Sequence, residues 1–192
     1  MTKRTLVTLD DLYCFSQLQI LNDICDAHPD VKPVVFTIPN KFGRIHDYLQ
    51  KRLPRVTFAI HGFEHTPFEC RDWHPDKARV LIQRALDMGY APIFKAPNWI
   101  HDADTEAACR DLNVTLCIHQ YGHVSVPGLS FVRSMEPGRE GKFGRNLHSH
   151  ITRNPVTTYV LDMDEFQPDL LAEFAPFAHW SDWVEEHTGE ND

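Results

Sequence analysis

The sequence predicts an α/β fold of the (β/α) barrel kind, and three observations lead there. Short apolar runs alternate with amphipathic ones over the first 120 residues, the pattern of parallel strands joined by helical crossovers. Polar residues follow the apolar core of nearly every predicted strand: Asp10-Asp11, Asn40, His61, Lys95 to Asn98, and His119. In a parallel barrel all strands end on one rim, where a site gathers, whereas an open sheet collects a ligand mainly at one crevice. So many polar strand ends favour the barrel. Finally, the 192 residues show no internal repeat and no linker, so 1–192 reads as a single domain, long enough for a sizeable core.

The elements follow in order. "TLVTL" (5–9) is a short apolar strand. "SQLQILNDICDAH" (16–28) is a helix, because Phe15, Leu18, Leu21, Ile24 and Cys25 recur at helical spacing, with Ser16 and Gln19 as a capping box. "KPVVFTIPN" (32–40) is a strand stopped by Pro39-Asn40, and "RIHDYLQKRL" (44–53) a helix closed by Pro54. "RVTFAIHG" (55–62) is a strand. "PDKARVLIQRALDMG" (75–89) is a helix with Pro75 in its first turn and Gly89 past its end. "APIFKAPN" (91–98) and "VTLCIHQ" (114–120) are strands around the helix "DADTEAACRDLN" (102–113). Beyond these, 129–134, 145–151 and 157–166 read as strands and 168–187 as a helix interrupted near Pro176.

Bulk properties exclude several classes. The formal charge is −8 and no long basic run occurs, which argues against nucleic acid as the main partner. The opening MTKRTLVTLDD has too short an apolar run for a secretory leader, and no stretch approaches the ~18 apolar residues of a membrane span. The expected location is the cytoplasm, without membrane attachment. Five cysteines without a CxxC pair indicate reduced core thiols rather than a disulfide framework or a cysteine zinc site. Twelve histidines are a richer signal.

The sharpest is "HGFEH", His61 and His65 at the end of a strand. If a helix follows, positions i and i+4 share a face and two imidazoles can share a metal. Alone, such a pair is commonly two surface histidines, and Asp10-Asp11 alone is commonly a turn or helix cap. Together, each after an apolar strand, they indicate a metal site. One aspartate can ligate while its neighbour takes a proton from water.

Four motifs in order, "TLDD" (8–11), "VVFTIPN" (34–40), "HGFEH" (61–65) and "FKAPNW" (94–99), resemble those of the polysaccharide deacetylase superfamily, which is carbohydrate esterase family four-like and carries the nodulation-type deacetylase homology domain. The stretch from HGFEH to FKAPNWI is most similar to a less characterised, deacetylase-like branch, and the resemblance covers roughly 4–151. It implies a distorted, incomplete (β/α) barrel of about seven strands with outer helices. It implies a divalent metal, foremost Zn2+, on Asp11, His61 and His65, with Asp10 as general base. Lys95 stands where the family has an arginine that steadies the base. "NLHSHI" supplies the general acid, His148 or His150, with His148 favoured because it follows Leu147. The resemblance places Asn40, Pro97 and Trp99 at the substrate pocket, ordinary half-buried packing being the alternative for Trp99. The implied reaction is removal of an N-acetyl or other small N-acyl group from an amino sugar or related small molecule or oligosaccharide. A cytoplasmic setting points to a soluble precursor or nucleotide sugar.

Two departures keep alternatives open. Lysine cannot reproduce the planar fork of arginine, and the family's D-x-x-D-W motif has no match, its place being held by "CIHQYGH" (117–123). The alternative is a catalytically silent barrel acting as a metal- or carbohydrate-binding module. A structural metal site closed by His119 or His123 is a further one. His28, His46 and His101 read as solvated, His74 as the start of a helix, "DMDE" (162–165) as a solvated helix start, and His179, Trp180 and Trp183 as packing of a terminal helix.

Overall fold

The computed structural model describes residues 4–119, 121–134 and 156–162. Its apolar and β-branched runs form β1 (Arg4–Leu12), β2 (Val34–Thr37), β3 (Thr57–His61), β4 (Ile93–Lys95), β5 (Thr115–His119), β6 (Phe131–Ser134) and β7 (Val156–Asp162). All pairings are parallel, in the order β6-β5-β4-β3-β2-β1-β7. Only β7 breaks sequence order, returning beside β1. The edge strands β6 and β7 come within 8 Å between Cα atoms, so the sheet curls into a distorted, incomplete (β/α) barrel.

The connections carry α1 (Leu18–Ala27), α2 (Pro39–Phe42), α3 (Asp47–Arg52), α4 (Pro75–Asp87) and α5 (Ala103–Asp111), with 3-10 turns at Phe15–Gln17 and Pro97–Trp99. Pro75 opens α4 behind His74, as its fixed φ favours. Gly89, just beyond the end of α4, has φ +94°. Asp102 caps α5 by accepting the Thr105 N–H at 3.0 Å. The expected Ser16–Gln19 capping box does not form. A 3-10 turn starts the helix earlier and makes Cys14 the cap. Gln17 Oε1 then accepts the N–H groups of Tyr13 (2.9 Å) and Cys14 (3.2 Å), while Gln19 bonds Asp23 instead.

Strand side chains alternate between two cores, as a period of two requires. Leu6, Val34, Phe36, Ala59, Ile93, Cys117 and Val132 fill the barrel. Val7, Leu9, Val35, Phe58, Ile60, Phe94, Leu116 and Ile118 face the helices, against Leu21 and Ile24 of α1 and Ile82 and Ala85 of α4. Continuing the inner series to the strand ends reaches Asp10, His61, Lys95 and His119, which places all four on the same rim.

Four cysteines are buried, Cys14 is half-buried, and all five are free thiols. Among the described residues no helix is long and apolar enough to cross a membrane. The readings at 145–151 and 168–187, with His148, His150, His179, Trp180 and Trp183, lie outside the described residues.

Candidate metal centre

Two adjacent aspartates on a regular strand would point to opposite faces. The β1–β2 ladder pairs Leu9 with Val35 but Leu12 with Thr37, so β1 carries one extra residue at Asp10-Asp11. Such a bulge re-aims a side chain. Asp10 keeps to the inner face and is buried. Asp11 adopts φ +63° and swings back to the rim instead of facing the helices. Gln17 secures this turn by donating from Nε2 to the Asp11 carbonyl at 3.2 Å.

His61 ends β3 on the inner face. The helix that would put His61 and His65 on one face does not form: residues 62–74 contain neither helix nor strand. The histidines converge through left-handed conformations, φ +57° at Gly62 and +59° at His65, which bring the ring centroids to 4.9 Å. Glycine is required at position 62, since a Cβ there would lie 2.1 Å from Glu69 Oε1 and 2.8 Å from Pro97 Cγ.

The candidate ligand atoms face one another. His61 Nδ1 lies 3.0 Å from the Lys95 carbonyl. A carbonyl only accepts, so Nδ1 carries a hydrogen and Nε2 is the nitrogen that faces Asp11. Asp11 Oδ1 is 3.4 Å from His61 Nε2 and 3.0 Å from His65 Nε2, yet it is buried and accepts no well-directed hydrogen bond. A carboxylate oxygen and two imidazole nitrogens drawn this close, with no well-directed hydrogen bond to Oδ1, suit a shared cation. Burial pushes the Asp11 carboxyl up, but His61 and His65 outweigh it and hold it well below the usual carboxylate range. In return Asp11 raises the pKa of His65 above the ordinary histidine value, against the effect of burial. Two nitrogens and one oxygen within 4.8 Å of one another fit a divalent transition metal with an open position.

Asp10 is tied to Lys95. The ammonium Nζ is 2.7 Å from Oδ1 and 2.5 Å from Oδ2, with the Asp10 side chain 9% exposed and that of Lys95 1%. The Trp99 ring lies 4.0 Å from Nζ and that of Phe36 4.9 Å. The sequence predicts a looser tie for lysine than for arginine, but here the point charge meets both oxygens. Trp99, half-buried at φ +61°, also meets His119 edge-on at 5.7 Å. Pro97 is buried and packs near Gly62. Asn40 has an exposed side chain, while its backbone N–H binds the Phe63 carbonyl at 3.0 Å.

Neither His119 nor His123 joins the ligand cluster among the described residues. His119 Nδ1 instead accepts the Tyr121 N–H at 3.3 Å. His101 is a correction. Its ring is 8% exposed rather than solvated, with Nε2 3.3 Å from Glu106 Oε1. Glu106 Oε2 in turn accepts the N–H groups of Ser125 (2.8 Å) and Val126 (2.9 Å). Gln17 and Glu69 also shape the site, and no motif in the sequence marks them. Each is a polar residue buried by partners in a turn, and periodicity gives no signal for that.

The backbone is similar to that of several solved structures. The Xyl-CE4 domain of a multidomain xylanase from the hindgut metagenome of Trinervitermes trinervoides matches at TM-score 0.60 over 97% of this chain and 91% of that one, with 13% identity. The chain has the fold of that domain, a distorted, incomplete (β/α) barrel of the deacetylase type. A family 4 acetyl xylan esterase from Clostridium thermocellum, solved with a cobalt ion, shares this deacetylase fold at TM-score 0.60, 15% identity and 91% and 82% coverage. The catalytic domain of a peptidoglycan N-acetylglucosamine deacetylase from Eubacterium rectale does so at TM-score 0.52, 16% identity and 98% and 86% coverage. The chain spans 62% of the family 4 carbohydrate esterase from Streptomyces lividans, less than two thirds, in a match over 60% of this chain at 16% identity and TM-score 0.47. No protein-family model and no curated protein matches the sequence.

Proposed function

We propose that the protein is a metal-dependent hydrolase that removes an N-acetyl or other small N-acyl group from an amino sugar or related molecule. One observation carries this reading: on the rim of a deacetylase-type barrel, the Asp11–His61–His65 set lies beside a second, buried carboxylate, Asp10, held by Lys95. Two imidazoles and a carboxylate suit zinc best, and cobalt, nickel or iron(II) also. The cation would lower the pKa of a water and polarise the acyl carbonyl.

The protein's own groups supply the rest. Asp10 takes the proton of the attacking water as general base. Lys95 fixes the orientation of that carboxylate, and its backbone carbonyl fixes the tautomer of His61, so one residue serves both halves of the site. Trp99, whose ring lies 4.0 Å from Lys95 Nζ, is assigned with Pro97 and Asn40 to the substrate pocket. His148 or His150 protonates the departing amine, without which the amide nitrogen is a poor leaving group. The solved relatives that are named for acetyl xylan and for peptidoglycan N-acetylglucosamine support an acetylated sugar as substrate. Of the two departures that favour a silent module, the lysine carries less weight because it meets both Asp10 oxygens, while the absent D-x-x-D-W motif still favours it.

The test is acetate or formate release from a panel of N-acyl amino sugars by zinc- or cobalt-loaded protein, wild type beside Asp10→Asn. Turnover should fall roughly 10²–10⁴-fold in the variant with metal content unchanged. Equal turnover would remove Asp10 as base, and no release from any substrate would remove the hydrolase reading.

A further inference from the structure

The three candidate ligands are held in different ways. Asp11 is set by the β1 bulge and Gln17, and His61 by strand β3 and the Lys95 carbonyl. His65 lies in an irregular loop, in a left-handed conformation that non-glycine residues rarely adopt. Loop N–H groups without a ladder need acceptors, and here they converge on one carboxylate. Glu69 Oε1 accepts the Phe63 N–H at 2.5 Å, and Oε2 accepts those of Glu64 at 3.1 Å and Thr66 at 3.2 Å. The Thr66 hydroxyl is 3.5 Å from Oε2. These donors lie on both sides of His65 in the chain, so the loop wraps Glu69 with His65 at its crown. Glu69 is only 9% exposed, and it enters the loop because Gly62 has no Cβ to block it. Charge-assisted bonds of this kind are about twice as strong as neutral ones.

We propose that Glu69 is a positioning residue for the metal centre: by gathering the N–H groups of Phe63, Glu64 and Thr66 it holds His65 Nε2 towards Asp11 before any metal arrives. This rests on reading Asp11, His61 and His65 as ligands. Groups that orient ligands typically account for 10–100-fold in metal affinity.

Cobalt(II) is the probe, titrated into metal-free protein while visible absorption reports ligand geometry. Glu69→Gln keeps the shape but turns an amide N–H towards the loop donors. It should weaken cobalt binding roughly 10–100-fold and shift the visible bands, with far-UV circular dichroism unchanged. The matched control is Glu106→Gln, which disturbs a comparably buried carboxylate that anchors the Ser125–Val126 turn; it should keep wild-type affinity and spectrum. Should Glu69→Gln not fold, Glu69→Asp answers instead, with the charge kept but its reach shortened, and should lose at least about threefold. Wild-type affinity and spectrum in the folded Glu69 variant would overturn the proposal, as would equal loss in the Glu106 control. If wild-type protein itself yields no cobalt spectrum, the metal reading fails and this proposal falls with it.

Discussion

Replacing Lys95 by methionine would isolate the ion pair at the centre of the rim. Methionine keeps an unbranched stem of similar length and removes the charge. With side-chain exposures of 1% for Lys95 and 9% for Asp10, water can replace the lost partner only in small part. Removing one member of a buried pair costs about 3–5 kcal/mol, because the other charge is stranded. The Trp99 face, 4.0 Å from Nζ, adds about 0.5–2 kcal/mol of cation–π attraction. Access at the rim offsets part of this, which leaves a loss of about 3–5 kcal/mol. For a domain of this size 1 kcal/mol moves Tm by about 2–4 °C, so Tm should fall by roughly 6–20 °C. Urea unfolding of Lys95→Met and of Lys95→Met/Asp10→Leu reads the effect directly. The double variant leaves no stranded charge and should regain most of the loss. A single variant within about 1 kcal/mol of wild type, or a double variant no better than the single, would refute a buried, mutually dependent pair.

Other perturbations test the loop and the ligands. Gly62→Ala forces a Cβ into a φ +57° position 2.1 Å from Glu69 Oε1 and 2.8 Å from Pro97 Cγ; it should destabilise by about 2–4 kcal/mol in urea unfolding, and an unchanged midpoint would contradict the packing described. Metal affinity should rise with pH. His65 has a raised pKa because of Asp11, and metal must displace its proton, so affinity should drop about tenfold per unit below that pKa; a flat profile from pH ~6 to ~8 would refute this. Metal-free protein carries the opposite sign. The Asp11–His65 attraction is fully present below the ordinary histidine pKa and is lost as pH rises through the raised value, which thermal unfolding across the same range would show.

Much of this was legible because the signals are local. Alternating apolar and polar runs place the strands, and the period of two puts Asp10, His61, Lys95 and His119 on one rim. The pairing of His61 and His65 with an aspartate was also readable, but the means of convergence was not. Helical spacing suggested a helix, whereas the chain uses Gly62, a left-handed His65 and the distant anchor Glu69. The extra residue that turns Asp11 to the rim is likewise set by β1 against β2, a register no single segment encodes. His101 looked solvated because its partner Glu106 lies a turn into α5, and the burial of both comes from tertiary packing. Lys95 shows the same limit in reverse: the residue type suggested a loose contact, while depth in the barrel enforces a tight one.

The central claim is that Asp11, His61 and His65 form one metal centre. Elemental mass spectrometry of wild-type protein and Asp11→Ala, both reconstituted with zinc and desalted, tests it most directly. The account predicts about one equivalent of zinc in the wild type and little in the variant; equal metal in both, or none in the wild type, would contradict it.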